Sequence, residues 1–231
     1  MSLPKLSTPT YELTLPSSGK KIKYRPFLVK EHKVLLTMAE ADNYEVARIV
    51  KELVRACTFE AVEVDNLAHF DIEYIFLHLR AKSIGEMVDV IVNCECGNTI
   101  ETSFSLENVK IEKAQDHTNK VKLTDTYGVE MNYPGFEEVV EIFGTNDTSK
   151  VVDLIIKSIK GIYDNENYWD AREQTPEELE DFVNSMTKEQ FEKIENFFVT
   201  APKVVQVIET DCNQCGRHNE SRLEGLRNFF V

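Results

Sequence analysis

Two stretches of the chain decide its fold: Ile91-Val-Asn-Cys94-Glu-Cys96-Gly97-Asn98 and Glu209-Thr-Asp-Cys212-Asn-Gln-Cys215-Gly216-Arg217. In each, strand-forming residues lead into a pair of cysteines that a glycine follows. Glycine there permits the positive φ of a sharp turn, in which backbone amides point at the sulfur atoms. Two such turns supply four thiolates, and an all-thiolate tetrahedral set is what structural zinc prefers. We therefore predict one structural zinc per chain, with Cys94, Cys96, Cys212 and Cys215 as its ligands.

Other interpretations of these cysteines stay open. Two disulfides are disfavoured in a reducing compartment, and iron bound as in rubredoxin normally uses two CxxC pairs, whereas the first pair here is CxC. His218 is a candidate substitute for one cysteine. The fifth cysteine, Cys57, falls on the apolar face of a predicted helix, and we expect it to be a buried small hydrophobe. Because 115 residues lie between Cys96 and Cys212, the predicted metal closes a very long loop and is part of the fold.

The remaining patterns favour an α+β fold around a discontinuous zinc-ribbon-like unit. We predict three parts: residues 1–86 as an N-terminal β-hairpin with helices, residues 87–105 with 201–231 as the ribbon, and residues 106–200 as an insertion between its two halves. The N-terminal hairpin alternates apolar and polar residues on either side of a Pro-Ser-Ser-Gly turn. That alternation places Lys21, Lys23 and Arg25 on one solvated strand face.

The insertion is predicted to mix strands and helices. Apolar spacing indicates a helix over residues 151–162. Thr175-Pro-Glu-Glu178 and Thr187-Lys-Glu-Gln190 each have the pattern of a capping box, so the insertion ends in a helical hairpin. From Ile162 to Thr200 there are 11 Asp and Glu against 3 Lys and Arg, which makes this hairpin strongly acidic.

The composition limits the partners. The chain has a formal net charge of -14, which repels phosphate backbones, so nucleic acid is disfavoured. No run of about 18 apolar residues exists that could span a bilayer, and the first 16 residues do not have the pattern of a secretory signal. We expect the protein in the cytoplasm. Self-association is left open.

The sequence shows no constellation for catalysis. It has no GxSxG, Walker, dinucleotide-binding or HExxH pattern, and its five histidines are scattered singly. We predict no catalytic residues and no enzyme activity. Two alternatives remain: a zinc-ribbon protein of transcription or replication that binds nucleic acid or polymerase, and a hydrolase with an unrecognised site. The first needs a basic face beside the cysteines, where acidic residues are at least as frequent as basic ones.

Several segments point to a family. Leu15-Pro-Ser-Ser-Gly19, Tyr24-Arg-Pro-Phe-Leu-Val-Lys-Glu31, Lys33-Val-Leu-Leu36 and the closing Leu226-Arg-Asn-Phe-Phe230 resemble T4-like bacteriophage baseplate hub and hub-assembly proteins. The resemblance implies a structural or assembly protein of a contractile tail baseplate hub, working in the host cytoplasm through contacts with other hub or tail proteins. A place in the finished virion is left open. The resemblance offers no catalytic residues.

Partner contact is expected at the exposed strand edges of the N-terminal hairpin and the ribbon, because unpaired edges accept another strand. The acidic helical hairpin is the second candidate surface.

Overall fold

The computed structural model of the protein describes residues 6–38, 41–142 and 147–226. Its elements form a mixed α+β fold, as predicted: helices alternate with small sheets that are antiparallel throughout. The chain folds as two compact units. The first includes the chain up to Glu112 and resumes at Lys203, and the second runs from Lys113 to Pro202. The three-part division drawn from the sequence stays a prediction.

The first unit begins with the predicted hairpin, whose strands are β1 (Tyr11–Thr14) and β2 (Lys21–Tyr24). Between them, the Ser17 amide donates a 3.0 Å hydrogen bond to the Asp71 carboxylate, and the Ser17 hydroxyl donates to the other oxygen of the same group. Asp71 is completely buried, and this burial raises its pKa. The turn is therefore fixed to a buried acceptor 54 residues away in the chain.

In the described part of this unit, three α-helices form the core: α1 (Val29–Thr37), α2 (Asn43–Cys57) and α3 (His69–Ser83). The third is buried on nearly every side, which explains why apolar residues occupy most of its positions rather than a single stripe. A short 3-10 helix, Val64–Asn66, connects the last two. Cys57, at the end of α2, is fully buried, as its place on an apolar stripe predicts.

Two longer hairpins form the ribbon. The first pairs β3 (Met87–Asn93) with β4 (Thr99–Ser105) over seven residues. After a 3-10 turn and the short β5 (Lys110–Glu112), the chain leaves this unit and returns as β10 (Lys203–Asp211), which pairs with β11 (His218–Glu224). The strand order of this sheet is β11-β10-β5. Each cysteine pair thus lies at the tip of one hairpin.

In its described residues, the second unit contains a four-stranded sheet with the order β6-β7-β8-β9 and four α-helices. Its strands are β6 (Lys120–Lys122), β7 (Gly128–Met131), β8 (Ile159–Tyr163) and β9 (Tyr168–Asp170). Its helices are α4 (Phe136–Ile142), α5 (Thr148–Ser158), α6 (Pro176–Asn184) and α7 (Lys188–Thr200). Side chains from the sheet and three of the helices meet in one apolar core, which includes Val129, Met131, Ile155, Ile194 and Phe197.

The predicted helix over residues 151–162 is wrong in its last turn. Helix α5 ends at Ser158, and the chain continues at once as strand β8, which pairs with β7 on one side and β9 on the other. Ile159 would be buried in a longer helix and is also buried in the strand, so the apolar spacing could not distinguish a helix from a strand here. Hydrogen bonds to two neighbouring strands outweigh the extension of the helix by one turn.

The two predicted capping boxes are confirmed. The Thr175 hydroxyl accepts from the Glu178 amide at 3.2 Å, while the Glu178 carboxylate accepts from the Thr175 amide at 2.8 Å. Thr187 and Gln190 repeat the arrangement at the start of α7. Of the segments that carry the family resemblance, residues 227–230 lie outside the described part of the chain.

Candidate metal centre

The first hairpin positions Cys94 and Cys96 through the turn that joins its strands. The last strand pair is Asn93 with Thr99. Beyond it, the Cys94 amide donates to the Asn98 carbonyl at 2.9 Å, and the Gly97 amide donates to the Cys94 carbonyl at 2.9 Å. These two bonds fold the cysteines back on the hairpin tip.

The second hairpin repeats this turn around Cys212 and Cys215. The Cys212 amide donates to the Arg217 carbonyl at 2.8 Å, and the Gly216 amide donates to the Cys212 carbonyl at 2.8 Å. Gly97 has a φ of 87° and Gly216 a φ of 72°. A Cβ at either glycine would meet nothing within 4 Å, so glycine is required there by the backbone conformation and not by lack of space.

The structure brings the four predicted ligand atoms together. The four Sγ atoms lie within 4.8 Å of one another. Two distances join the hairpins: Cys94 Sγ to Cys215 Sγ is 3.7 Å, and Cys96 Sγ to Cys212 Sγ is 3.7 Å. A tetrahedral zinc with Zn–S bonds of about 2.3 Å requires sulfurs about 3.8 Å apart. The donor set therefore fits a tetrahedral metal in both chemistry and size.

The same distances exclude the disulfide interpretation. A disulfide requires sulfurs about 2.05 Å apart, and all four cysteines are free thiols in the structure. Cys94 and Cys212 are buried while Cys96 and Cys215 are exposed, so the sulfur cluster lies at the surface of the hairpin tips.

Hydrogen-bond donors surround the sulfurs. The amides of Cys215 and Gln214 donate to Cys212 Sγ and lower the pKa of that thiol to about 6. Asn98 Nδ2 lies 3.5 Å from the same sulfur and 2.8 Å from Asn213 Oδ1, which links the two hairpins. These donors stabilise a thiolate, which is the form that binds metal.

The proximity of the thiols to one another has the opposite effect and raises the pKa of a thiol. The Asn98 amide lowers the pKa of Cys96, but its neighbour Cys94 and the two cysteines of the other hairpin outweigh that donor and raise the pKa to about 12. Four negative sulfurs at this spacing repel one another unless a cation lies between them. A divalent metal supplies the positive charge that such a cluster requires.

His218 does not join the cluster. Its Nδ1 lies 2.8 Å from the Asp211 carboxylate, and this hydrogen bond raises the pKa of the imidazole. The interpretation in which His218 replaces a cysteine is therefore not supported. Beside it, the Arg217 guanidinium pairs with the Glu95 carboxylate of the other hairpin, but both side chains are exposed and the pair adds little stability.

Cys57 lies outside the cluster and takes no part in it. Burial raises the pKa of its thiol to about 11, and Arg25 Nη1 lies 3.7 Å from its sulfur. The predicted solvated face of Lys21, Lys23 and Arg25 is correct for the lysines and wrong for the arginine. Strand β2 ends at Tyr24, so alternation no longer applies, and Arg25 turns inward to pair with the buried Glu31 carboxylate at 3.0 Å.

Sequence reasoning missed two buried groups in α3. Burial raises the pKa of Glu73 to about 7, and its carboxylate accepts from the Leu226 amide at 3.2 Å. Arg80 places Nη1 in the protein interior. Both residues occupy positions flanked by apolar side chains, and those neighbours were the only available signal. Neither group belongs to a cluster that resembles a catalytic site.

His117, one of the scattered histidines, has a structural environment in the second unit. The Thr200 hydroxyl donates to the Asn196 carbonyl at 2.7 Å, so it accepts from His117 Nδ1 at 2.9 Å. His117 Nε2 then accepts from the Tyr133 hydroxyl at 2.9 Å, and the ring packs against Tyr133 and Phe197. Burial lowers the pKa of this imidazole, which favours its neutral form.

Comparisons with known proteins agree with the sequence resemblance. The family model described as T4 bacteriophage base plate protein matches residues 8–231. The baseplate hub assembly protein gp26 of Enterobacteria phage T4 is 27% identical over 224 residues, which cover 95% of this chain and 97% of the relative. No solved structure matches the chain. No helix in the described ranges has the length and apolar character to cross a membrane.

Proposed function

Because the chain belongs to the T4 bacteriophage base plate protein family, we propose that it is a structural or assembly protein of the baseplate hub of a contractile phage tail. The observation that carries this proposal is the extent of the likeness to a hub assembly protein, which covers nearly all of both chains. On this proposal the chain acts through contacts with other baseplate hub or tail proteins and has no turnover of its own. It works in the host cytoplasm during assembly.

We infer that Cys94, Cys96, Cys212 and Cys215 hold one structural zinc. The support is the size of the sulfur cluster and the donors around it, as described above. Four thiolates complete the tetrahedral coordination of zinc and leave no position for water or substrate, so zinc bound here supplies binding energy and no chemistry. That energy holds together two hairpins that are far apart in the chain.

Nucleic acid is not a partner on this proposal. The net charge of -14 opposes association with phosphate backbones, and we expect binding weaker than about 10⁻⁴ M at physiological salt. Fluorescence polarisation with labelled DNA and RNA checks this. A micromolar complex whose affinity falls with salt would favour the zinc-ribbon protein of transcription or replication instead.

Genetic complementation tests the assembly role. Cells are infected with a phage whose own copy of this gene carries a stop codon, and the protein is supplied from a plasmid. We expect few complete hubs and few infectious particles without the plasmid, and recovery of both with it. Complete hubs and normal infectivity without the protein would contradict the assembly role. Recovery by the wild type but not by Cys212→Ser would further connect the predicted metal site to that role.

A further inference from the structure

The three helices of the first unit border an open groove. Its volume is about 510 Å³, and its lining comes from all three helices and the segment that precedes them. The apolar part of the lining includes Phe27, Leu35, Leu36, Val46, Phe76 and Ile84. Leu36 is 68% exposed and Ile84 is 55% exposed. Large apolar side chains at the mouth of a groove are typical of a binding surface for another molecule.

Arg80 of α3 also lines this groove. Its Nη1 is buried, and no hydrogen-bond acceptor contacts it among the residues that the structure describes. Burial lowers the pKa of the guanidinium, which reflects the cost of removing this cation from water. A buried donor of this kind normally has a partner, and a carboxylate binds a guanidinium through two parallel hydrogen bonds. Among the described residues that line the groove, none supplies this acceptor.

The charge around the groove favours an acidic occupant. Among the described residues that line the groove, Arg80 is the only Lys or Arg, and none is Asp or Glu. His32 and Lys33, on the same helix as Leu36, are both exposed. The described lining of the groove is therefore basic, although the whole chain has a net charge of -14.

We propose that this groove, which we call the α1–α3 groove, binds a segment of a baseplate partner protein whose apolar side chains flank one Asp or Glu. The apolar side chains cover Leu36 and Ile84, and the carboxylate accepts from Arg80. Apolar contacts that enclose a central arginine–carboxylate pair resemble the anchors that carry most of the energy of protein interfaces. This proposal rests on the proposed assembly function and assigns it a surface.

Site-specific crosslinking identifies the occupant. The photoreactive amino acid p-benzoylphenylalanine replaces Leu36 in the full chain, which is expressed in infected cells and irradiated. Val199 of the second unit is the matched control site, because it is a similarly exposed aliphatic residue, 66% against 68%. We expect position 36, and not position 199, to crosslink to a phage tail or baseplate protein at an apolar segment that contains Asp or Glu. Crosslinks to a second copy of this chain, to a segment without an acidic residue, or to nothing would overturn the proposal.

Variants then test the chemistry of the contact. Leu36→Asp removes apolar surface and repels a carboxylate, and Arg80→Met removes the cation. We expect each to weaken binding to the purified, crosslinked partner at least tenfold, while Val199→Asp leaves it unchanged. Because Leu36 is exposed, its variant should keep the wild-type melting temperature even if Arg80→Met loses some stability. Combining Arg80→Asp with an Arg in place of the partner's acidic residue should restore affinity.

Wild-type affinity in both Leu36→Asp and Arg80→Met would overturn the proposal. The complementation experiment separates this failure from that of the assembly role. If both variants support normal hub assembly while the gene remains essential for it, the role survives and the α1–α3 groove is not the contact. If the gene is dispensable, both proposals fail.

Discussion

The ribbon and the second unit differ in what holds them together. In the ribbon, strand β3 buries only alternate residues, Val88, Val90 and Val92, and each hairpin tip carries one exposed cysteine. The second unit is continuous in sequence and buries apolar side chains from both its sheet and its helices. On our proposal the ribbon therefore depends on a metal for its stability, whereas the second unit depends on its own core. Each of the following experiments changes one side of this comparison.

Loss of the metal should have the largest effect. Cys212→Ser removes one of four ligands and should lower the free energy of unfolding of the first unit by several kcal/mol, because structural zinc binding is folding energy. Hydrogen exchange followed by mass spectrometry checks this, with faster exchange expected in residues 87–105 and 203–224. Exchange in residues 113–202 should change little. Equal acceleration in both units would contradict the comparison.

A cavity in the core of the second unit should have the next largest effect on stability. Ile194 is fully buried, and Ile194→Ala should cost about 2–5 kcal/mol because it leaves a cavity among packed side chains. Denaturant unfolding gives the change in stability. Elemental analysis of the variant should find the same metal content as in the wild type. A loss of metal in this variant would show that the two units are not independent in the way we propose.

Sequence alone located the two cysteine turns and the two helix starts because each of them is encoded locally. Gly97 and Gly216 mark the turns, and Thr175 and Thr187 mark the helix starts. The inward turn of Arg25 could not be predicted, since it depends on where strand β2 ends and on Glu31 being buried nearby. The strand at Ile159 was missed because its apolar spacing also fits a helix, and only the neighbouring strands decide between the two.

Glu73 gives the first unit a distinctive pH dependence. Its pKa is raised to about 7, so the folded state holds a proton that the unfolded chain releases near pH 4.5. Its contribution to stability is therefore lost as pH rises from about 4.5 through 7. Glu73→Gln keeps an acceptor for the Leu226 amide and should be more stable than the wild type by roughly 2 kcal/mol at pH 8. Unfolding at pH 5 and 8 measures the difference, which should nearly vanish at pH 5.

His117 gives the stability of the second unit a smaller pH dependence, opposite in sign to that of Glu73. Its pKa is lowered by burial, so its contribution is present above the ordinary value of about 6.5 and is lost as pH falls through that value. His117→Phe keeps the ring packing but removes two hydrogen bonds, and it should cost roughly 1 kcal/mol at pH 8. Exchange rates within residues 113–202 at pH 6 and 8, corrected for intrinsic rates, check both points. A cost that grows on acidification would contradict this assignment.

The central claim is that four thiolates of the first unit hold one structural metal, and the metal content of the purified protein tests it most directly. Elemental analysis of freshly purified protein that has never met a chelator should find about one zinc per chain. Cys57→Ala should retain that zinc, because Cys57 lies outside the cluster, whereas Cys212→Ser should lose most of it. Wild-type protein that contains neither zinc nor iron, yet is folded in its first unit, would contradict the account.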